Sequence, residues 1–289
     1  MSRHTKAVLF VLLEGIGFSL MGFFVKLAGD LPVMEKAFFR NLIAAFIAFS
    51  VLIRTPERFR IQKGSLPGLL LRSSFGMAGL LANFWAIDHM QIADANILNK
   101  MSPFFAIIMS AVILKEMPRR LDLLCVLIAF TGAVIVARPT NGVASFPALV
   151  AVAGGFCAGT AYTYLRSLRL RGERGPLIVF FFSAFSLLVC IPGMMLDFTP
   201  MTGRQFLCLL CAGGAAALGQ LAVTKAYSLA PAKEISVFDY SQVLFAALWG
   251  AAFLGEIPDS VSLAGYALII GAAFLRWYLQ RRHRDPSAG

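Results

Sequence analysis

Apolar residues along this chain come in long blocks, each closed by a charge, a proline or a glycine; neither period-two alternation nor a short amphipathic stripe organises them. In chain order the blocks are 7–28, 34–53, 67–86, 92–114, 121–138, 146–166, 176–196, 206–226, 235–254 and 261–279. As helices rising ~1.5 Å per residue, they suit a hydrocarbon core ~30 Å thick. Several connections, among them 29–32, 87–91 and 115–118, are short enough to make neighbouring helices antiparallel. The pattern predicts an all-α integral membrane protein of ten transmembrane helices. The tail with Arg3 and Lys6 leads straight into the first block, which is longer than the apolar core of a cleavable signal peptide, so no such signal is expected.

Composition removes the soluble alternative, and charge orients the helices. The 289 residues are 58% hydrophobic and 14% charged, with a mean hydropathy of +0.76, which excludes an ordinary water-soluble domain. The 26 Lys and Arg against 15 Asp and Glu do not form a nucleic-acid surface, because they fall in short clusters between apolar blocks. Arg3 and Lys6; Arg54, Arg58, Arg60 and Lys63; Lys115, Arg119 and Arg120; Arg166, Arg169, Arg171 and Arg174; Lys233; and Arg276, Arg281, Arg282 and Arg284 share one side of a ten-helix topology. Only Arg138 and Arg204 fall on the other side, with Asp30, Asp88, Asp197, Glu256 and Asp259. By the positive-inside rule the basic side is the cytoplasm, so a multi-pass protein of the inner membrane with both termini cytoplasmic is expected.

A shift of 140 residues, without a gap, matches Gly15 with Gly155, Gly79 with Gly219, Phe105-Ala106 with Phe245-Ala246, Leu114 with Leu254, Glu116 with Glu256 and Pro118 with Pro258. This is an internal repeat, dividing the chain into 1–140 and 141–289. Each half holds an odd number of spans, so the halves cross the membrane in opposite senses. The charges agree: Lys115, Arg119 and Arg120 of the first half become Gly255, Asp259 and Ser260 in the second.

Inverted repeats place a site near the bilayer midplane at the repeat interface. The most polar stretch inside an apolar block is DANILNKMSP, residues 94–103, in which Asn96, Asn99, Lys100 and Pro103 share one face of a continuous helix. Lys100 lies roughly 12 Å from the outer end of its span, where an ammonium needs a partner, water or a ligand. It is a candidate substrate contact; a packing pair or snorkelling to the headgroups is the alternative. The repeat puts Asp239 opposite Asn99 and Tyr240 opposite Lys100, which suits a zwitterion and equally a Lys100–Asp239 bridge holding the halves together. Asn96, Asn99 and Asn83 are substrate contacts or interhelical hydrogen bonders. Trp85 is either a substrate contact or an interface anchor. Glu14, deep in the first span, is the candidate for proton or cation coupling, and Glu35 with Arg40 for an outer gate.

Other chemistries find little support. His4, His89 and His283 sit in a tail, a loop and the other tail, so no His-based metal site or catalytic triad assembles in the bundle. Cys125, Cys157, Cys190, Cys208 and Cys211 all lie in apolar blocks and are read as packing, the C-x-x-C of the last two included. There is no phosphate-binding G-x-x-x-x-G-K-[ST] loop. No metal, cofactor or catalytic activity is expected.

The run FWAIDHMQIADANILNKMSPFFAIIMSAVILKEMPRRLDLLCVLIAFTGAVIVARP and its second copy TKAYSLAPAKEISVFDYSQVLFAALWGAAFLGEIPDSVSLAGYALIIGAAF resemble the paired signature of the drug/metabolite transporter superfamily, EamA branch. The resemblance spans essentially the whole chain, with Glu116 and Pro118, and Glu256 and Pro258, on the family's turn motif. It implies two inverted five-helix repeats, secondary transport, and a central cavity whose neighbourhood holds Asn83, Asn96, Asn99, Lys100, Asp239 and Tyr240. The first span, LLEGIGFSLMGFFVK, is also similar to the first helix of small multidrug resistance proteins, whose glutamate matches Glu14. The expected function is alternating-access transport of a small amino-acid-like, zwitterionic or cationic metabolite, with protons as a candidate coupling ion and a monomer or homodimer as the unit. An exporter of lipophilic cations, a non-transporting scaffold or receptor, and a membrane-embedded enzyme are the alternatives.

Overall fold

A computed structural model describes residues 3–57, 59–115, 118, 120–137, 145–229 and 236–282. Of the residues named above, Arg58, Glu116, Arg119, Arg138, Lys233, His283 and Arg284 lie outside this set, as do the side chains of Arg281 and Arg282. The helices are α1 (Arg3–Leu27), α2 (Val33–Leu52), α3 (Leu66–His89), α4 (Ile92–Asn99), α5 (Ser102–Ile113), α6 (Arg120–Ala137), α7 (Phe146–Leu170), α8 (Gly175–Leu196), α9 (Gly203–Leu229), α10 (Ser241–Trp249) and α11 (Ser260–Arg282). A 3₁₀ turn, Ser236–Tyr240, precedes α10 and a π turn, Gly250–Leu254, follows it.

These elements make ten membrane crossings, because α4 with α5 forms the fourth and 236–254 forms the ninth. Among the described residues, seven helical segments are long and apolar enough to span a bilayer on their own, and Phe238–Leu254 is a shorter apolar one. The remaining crossings, α2 and α3, carry Glu35, Lys36 and Arg40, and Arg72 and Asn83, along their lengths. The expected single helix over 92–114 is instead two helices. Pro103, at the start of α5, has no N–H to continue the ladder, and Lys100 and Met101 form the turn between them. The face predicted to unite Asn96, Asn99, Lys100 and Pro103 is therefore interrupted.

Packing follows the repeat. α1 packs on α9 as α7 packs on α3, α1 meets α10 as α7 meets α5, and α2 meets α9 as α8 meets α3. The pairs α2 with α8 and α6 with α11 are their own counterparts. A 140-residue shift thus exchanges one set of contacts for the other, which is what a two-fold axis in the membrane plane requires of inverted repeats. Leu127, Leu188, Met195, Phe253 and Leu263 are exposed on the outside of the bundle. An apolar exterior of this kind is the surface lipid contacts.

Small residues set how closely helices approach. A Cβ at Gly17 would lie 2.6 Å from the Gly219 nitrogen, and one at Gly159 would lie 2.5 Å from the Ser102 carbonyl oxygen and 2.9 Å from the Ala106 nitrogen. Clasps at the helix ends add fixed points. Glu35 Oε1 accepts the Thr199 N–H at 2.7 Å, and Glu173 Oε1 accepts the Gln62 N–H at 2.7 Å. The first joins the beginning of α2 to the chain just beyond α8, and the second joins the residue pair ahead of α8 to the chain leading into α3. Gly159→Ala should lower stability by about 1–3 kcal/mol through overpacking, whereas Gly214→Ala, with nothing within 4 Å of its Cβ, should leave it unchanged or raise it by about 0.5–1 kcal/mol. Thermal melting in detergent would show the contrast.

Candidate functional site

The fourth and ninth crossings meet where both are broken. Breaking the helix at Lys100–Met101 changes the local hydrogen bonding: the Phe104 N–H goes to Met101 O at 3.0 Å rather than to Lys100 O. Tyr240 Oη donates to the freed Lys100 carbonyl at 3.1 Å, across 140 residues of sequence. Tyr240 is the repeat counterpart of Lys100, and two counterparts can touch only near the axis that relates them. The second break is at the same place, where the 3₁₀ turn ends at Tyr240 and α10 begins at Ser241.

Glycines let the neighbouring helices reach these breaks. A Cβ at Gly155 would be 3.0 Å from Leu98 O and 3.2 Å from Asn99 O, and one at its counterpart Gly15 would be 2.6 Å from Ser241 Oγ and 3.1 Å from the Gln242 nitrogen. The step after Gly15 and Gly155 brings in polar side chains. Asn96, buried, donates through Nδ2 to Ile92 O at 2.7 Å and accepts at Oδ1 from Gln242 Nε2 at 2.6 Å. Glu14, buried on α1 beside Gly15, lies in the field of Asp239 and of Lys100. The crossing thus gathers Glu14, Asn96, Asn99, Lys100, Asp239, Tyr240 and Gln242 from α1, α4, α10 and the two breaks.

Other predicted residues stand elsewhere. Asn83, buried on α3, has its backbone nitrogen 3.5 Å from where a Gly154 Cβ would be, and its Oδ1 has no hydrogen-bond partner. Trp85 stacks on His89 at 3.8 Å and meets Phe146 edge-on at 5.4 Å, at the end of α3, apart from the crossing. Glu35 and Arg40 have different partners, Thr199 for the first and Asn41 for the second, so they form no mutual bridge among the described residues. Asp94, set off the polar face by sequence, is buried and accepts from Tyr266 Oη at 2.7 Å.

Three further contacts come only from the fold. Gln242 is the counterpart of Ser102 and so lies out of register with its partner Asn96; only the helix crossing brings them together. Lys26 pairs with Glu256 and also donates to Met90 O at 2.6 Å, while Glu256 Oε2 accepts the Ile92 N–H at 2.8 Å. This ties α1, the start of α4 and the turn after the π segment at the face opposite the N-terminus, where Lys36 and Asp88 also pair at 2.6 Å. Trp249 Nε1 donates to Ser19 Oγ at 3.1 Å, joining α10 to α1. Within the sequence, Lys26 and Glu256 look like span-end charges, and nothing in their spacing links them.

The EamA-like transporter family matches the chain twice, over residues 5–138 and 145–278. The protein belongs to that family. Pseudopaline exporter CntI of Pseudomonas aeruginosa is 35% identical over 268 residues, covering 92% of this chain and 93% of its own. Solute carrier family 35 member G1 of Homo sapiens is 26% identical, covering 93% of this chain and 79% of its own. A riboflavin transporter of Vibrio cholerae is 24% identical, covering 97% and 96%. A solved crystal structure at 16% identity has the same fold, with a TM-score of 0.67 over 97% of this chain and 100% of that one. This EamA-like protein is accordingly a multi-pass membrane transporter of two inverted five-helix repeats.

Tyr240→Phe keeps the ring and removes the donor, leaving Lys100 O unpaired at the helix break. A loss of about 1–3 kcal/mol is expected, read as a lowered melting midpoint.

Proposed function

We propose that this transporter moves a small zwitterionic, amino-acid-like metabolite across the inner membrane by alternating access, with residues 1–140 and 141–289 as the two halves that rearrange about the crossing. The observation that carries the proposal is the meeting of two broken helices at Lys100 and Tyr240, with Glu14 and Asp239 beside them. An ammonium suits the Glu14 and Asp239 carboxyls. A carboxylate suits Lys100 and the N-terminal end of α5, where the helix dipole favours negative charge. Asn96 and Asn99 supply further polar contacts at the crossing, while Asn83 packs on α7 beside Gly154 and Trp85 serves the interface at the end of α3. Relatives named for pseudopaline export and for riboflavin transport support a small organic solute.

Alternation needs a face that shuts. The ties from Lys26 to Glu256 and from Glu35 to the Thr199 backbone join the repeats at the face opposite the N-terminus. With both termini cytoplasmic, as the charge pattern favours, this is the outer face. A second reading, export of a lipophilic cation, is favoured by the acidic pair alone, since Glu14 and Asp239 need no lysine to hold a cation. The two part at Lys100. In proteoliposomes, Lys100→Ala should reduce flux of a zwitterion at least tenfold with folding intact, and should leave flux of a lipophilic cation unchanged or raised. Asp239→Asn should reduce both, and undiminished flux in Lys100→Ala and Asp239→Asn together would end the site assignment.

Two buried carboxyl groups in each other's field favour a shared proton, or a cation in its place. That exchange would couple substrate to protons through Glu14. Glu14→Gln should abolish transport driven by a pH gradient while sparing exchange of substrate for substrate; intact pH-driven uptake would make Glu14 structural.

A further inference from the structure

Away from the crossing, α2 and α3 each bring an arginine to the same ring. The guanidinium carbon of Arg72 lies 4.1 Å from the centre of Phe182 on α8, and that of Arg40 lies 5.8 Å from it. The two cations are within electrostatic reach of each other, and Tyr162 of α7 is within reach of both. Gly76 makes the room: a Cβ there would be 2.8 Å from Arg72 Nη1 and 3.0 Å from the Phe182 ring.

Donors in this cluster outnumber acceptors. Arg72 Nε and Nη1 and Arg40 Nε are closed off from the surface without a hydrogen-bond partner among the described residues. Arg40 Nη1 donates at 2.8 Å to the Asn41 amide oxygen, and no carboxylate pairs with either guanidinium among the described residues. Ser73 beside Arg72, Ser183 beside Phe182, and Ser186 one turn beyond Phe182 are buried, each with an unpartnered hydroxyl. The ring faces offset part of the charge, but a π face accepts no in-plane N–H. Two like charges held together in a low-dielectric setting are costly unless an anion joins them. A guanidinium fork matches carboxylate and phosphate oxygens in a way that a point charge does not.

We propose that Arg40 and Arg72 bind an anionic oxygen group, a carboxylate or a phosphate, with the Ser183 and Ser186 hydroxyls as further donors. The ring of Phe182 holds both forks in place, and Gly76 leaves room for the Arg72 fork and that ring to pack against α3. As a statement about substrate, which would then carry an acidic group, this rests on the transport proposal. As a statement about binding it does not, and the test separates the two.

Purified protein in detergent would be melted against citrate and against inorganic phosphate, with sodium chloride matching the ionic strength. A ligand that binds only the folded form raises the midpoint saturably. The rise is expected in the unaltered protein and in Lys100→Ala, absent in Arg40→Gln and Arg72→Gln, and partly restored in Arg72→Lys. Without added anion, the two glutamine variants should melt at or above the unaltered protein, because each removes an unpaired charge. If the phosphate comes from a lipid headgroup, native mass spectrometry will find an anionic phospholipid retained by the unaltered protein and lost from both glutamine variants. An equal midpoint rise in the glutamine variants, or neither a rise nor an arginine-dependent phospholipid, overturns the site. Binding that survives while substrate flux proves absent would overturn the transport proposal alone.

Discussion

Inside a bilayer a backbone carbonyl has no water to turn to, and one left unpaired costs several kcal/mol. The arrangement of this transporter depends on how that constraint is met at Lys100. Pro103 withholds an N–H, the Phe104 amide turns to Met101, and the Lys100 carbonyl is free. Its donor is Tyr240, from the other half of the chain. Satisfying one oxygen therefore fixes the register in which the repeats meet. The close approaches at Gly15 and Gly155 and the Asn96–Gln242 bond lie within a few residues of that contact.

Much of this is legible in the sequence. The ten apolar blocks correspond to the ten crossings with ends moved by a few residues, because span length is set by the bilayer. The repeat was legible because its register, Glu116 with Glu256 and Pro118 with Pro258, survives without a gap. Tyr240 was found as the counterpart of Lys100 by counting alone.

The rest was not legible, for physical reasons that differ by residue. The break after Asn99 depends on which carbonyls find new donors across the bundle, although Pro103 was its visible sign. Gln242 meets Asn96 through a crossing angle that no spacing encodes. Lys26 and Glu256 read as separate span-end charges, and their union is a property of three chain segments arriving at one face. Arg72 belongs to none of the short basic clusters between the blocks, and only the fold brings Phe182 and Arg40 to it.

The contact between Lys100 and Tyr240 also bears on why the two halves share one chain. If two identical subunits met about such an axis, every position on it would face its own copy: lysine against lysine, or tyrosine against tyrosine. Neither arrangement would give a cation on one side and a phenol donor on the other. Covalent fusion frees the two sides to diverge. The chemical polarity of the centre, acidic from Glu14 and Asp239 and basic at Lys100, is closed to a pair of identical halves and open to two unlike halves joined in one chain.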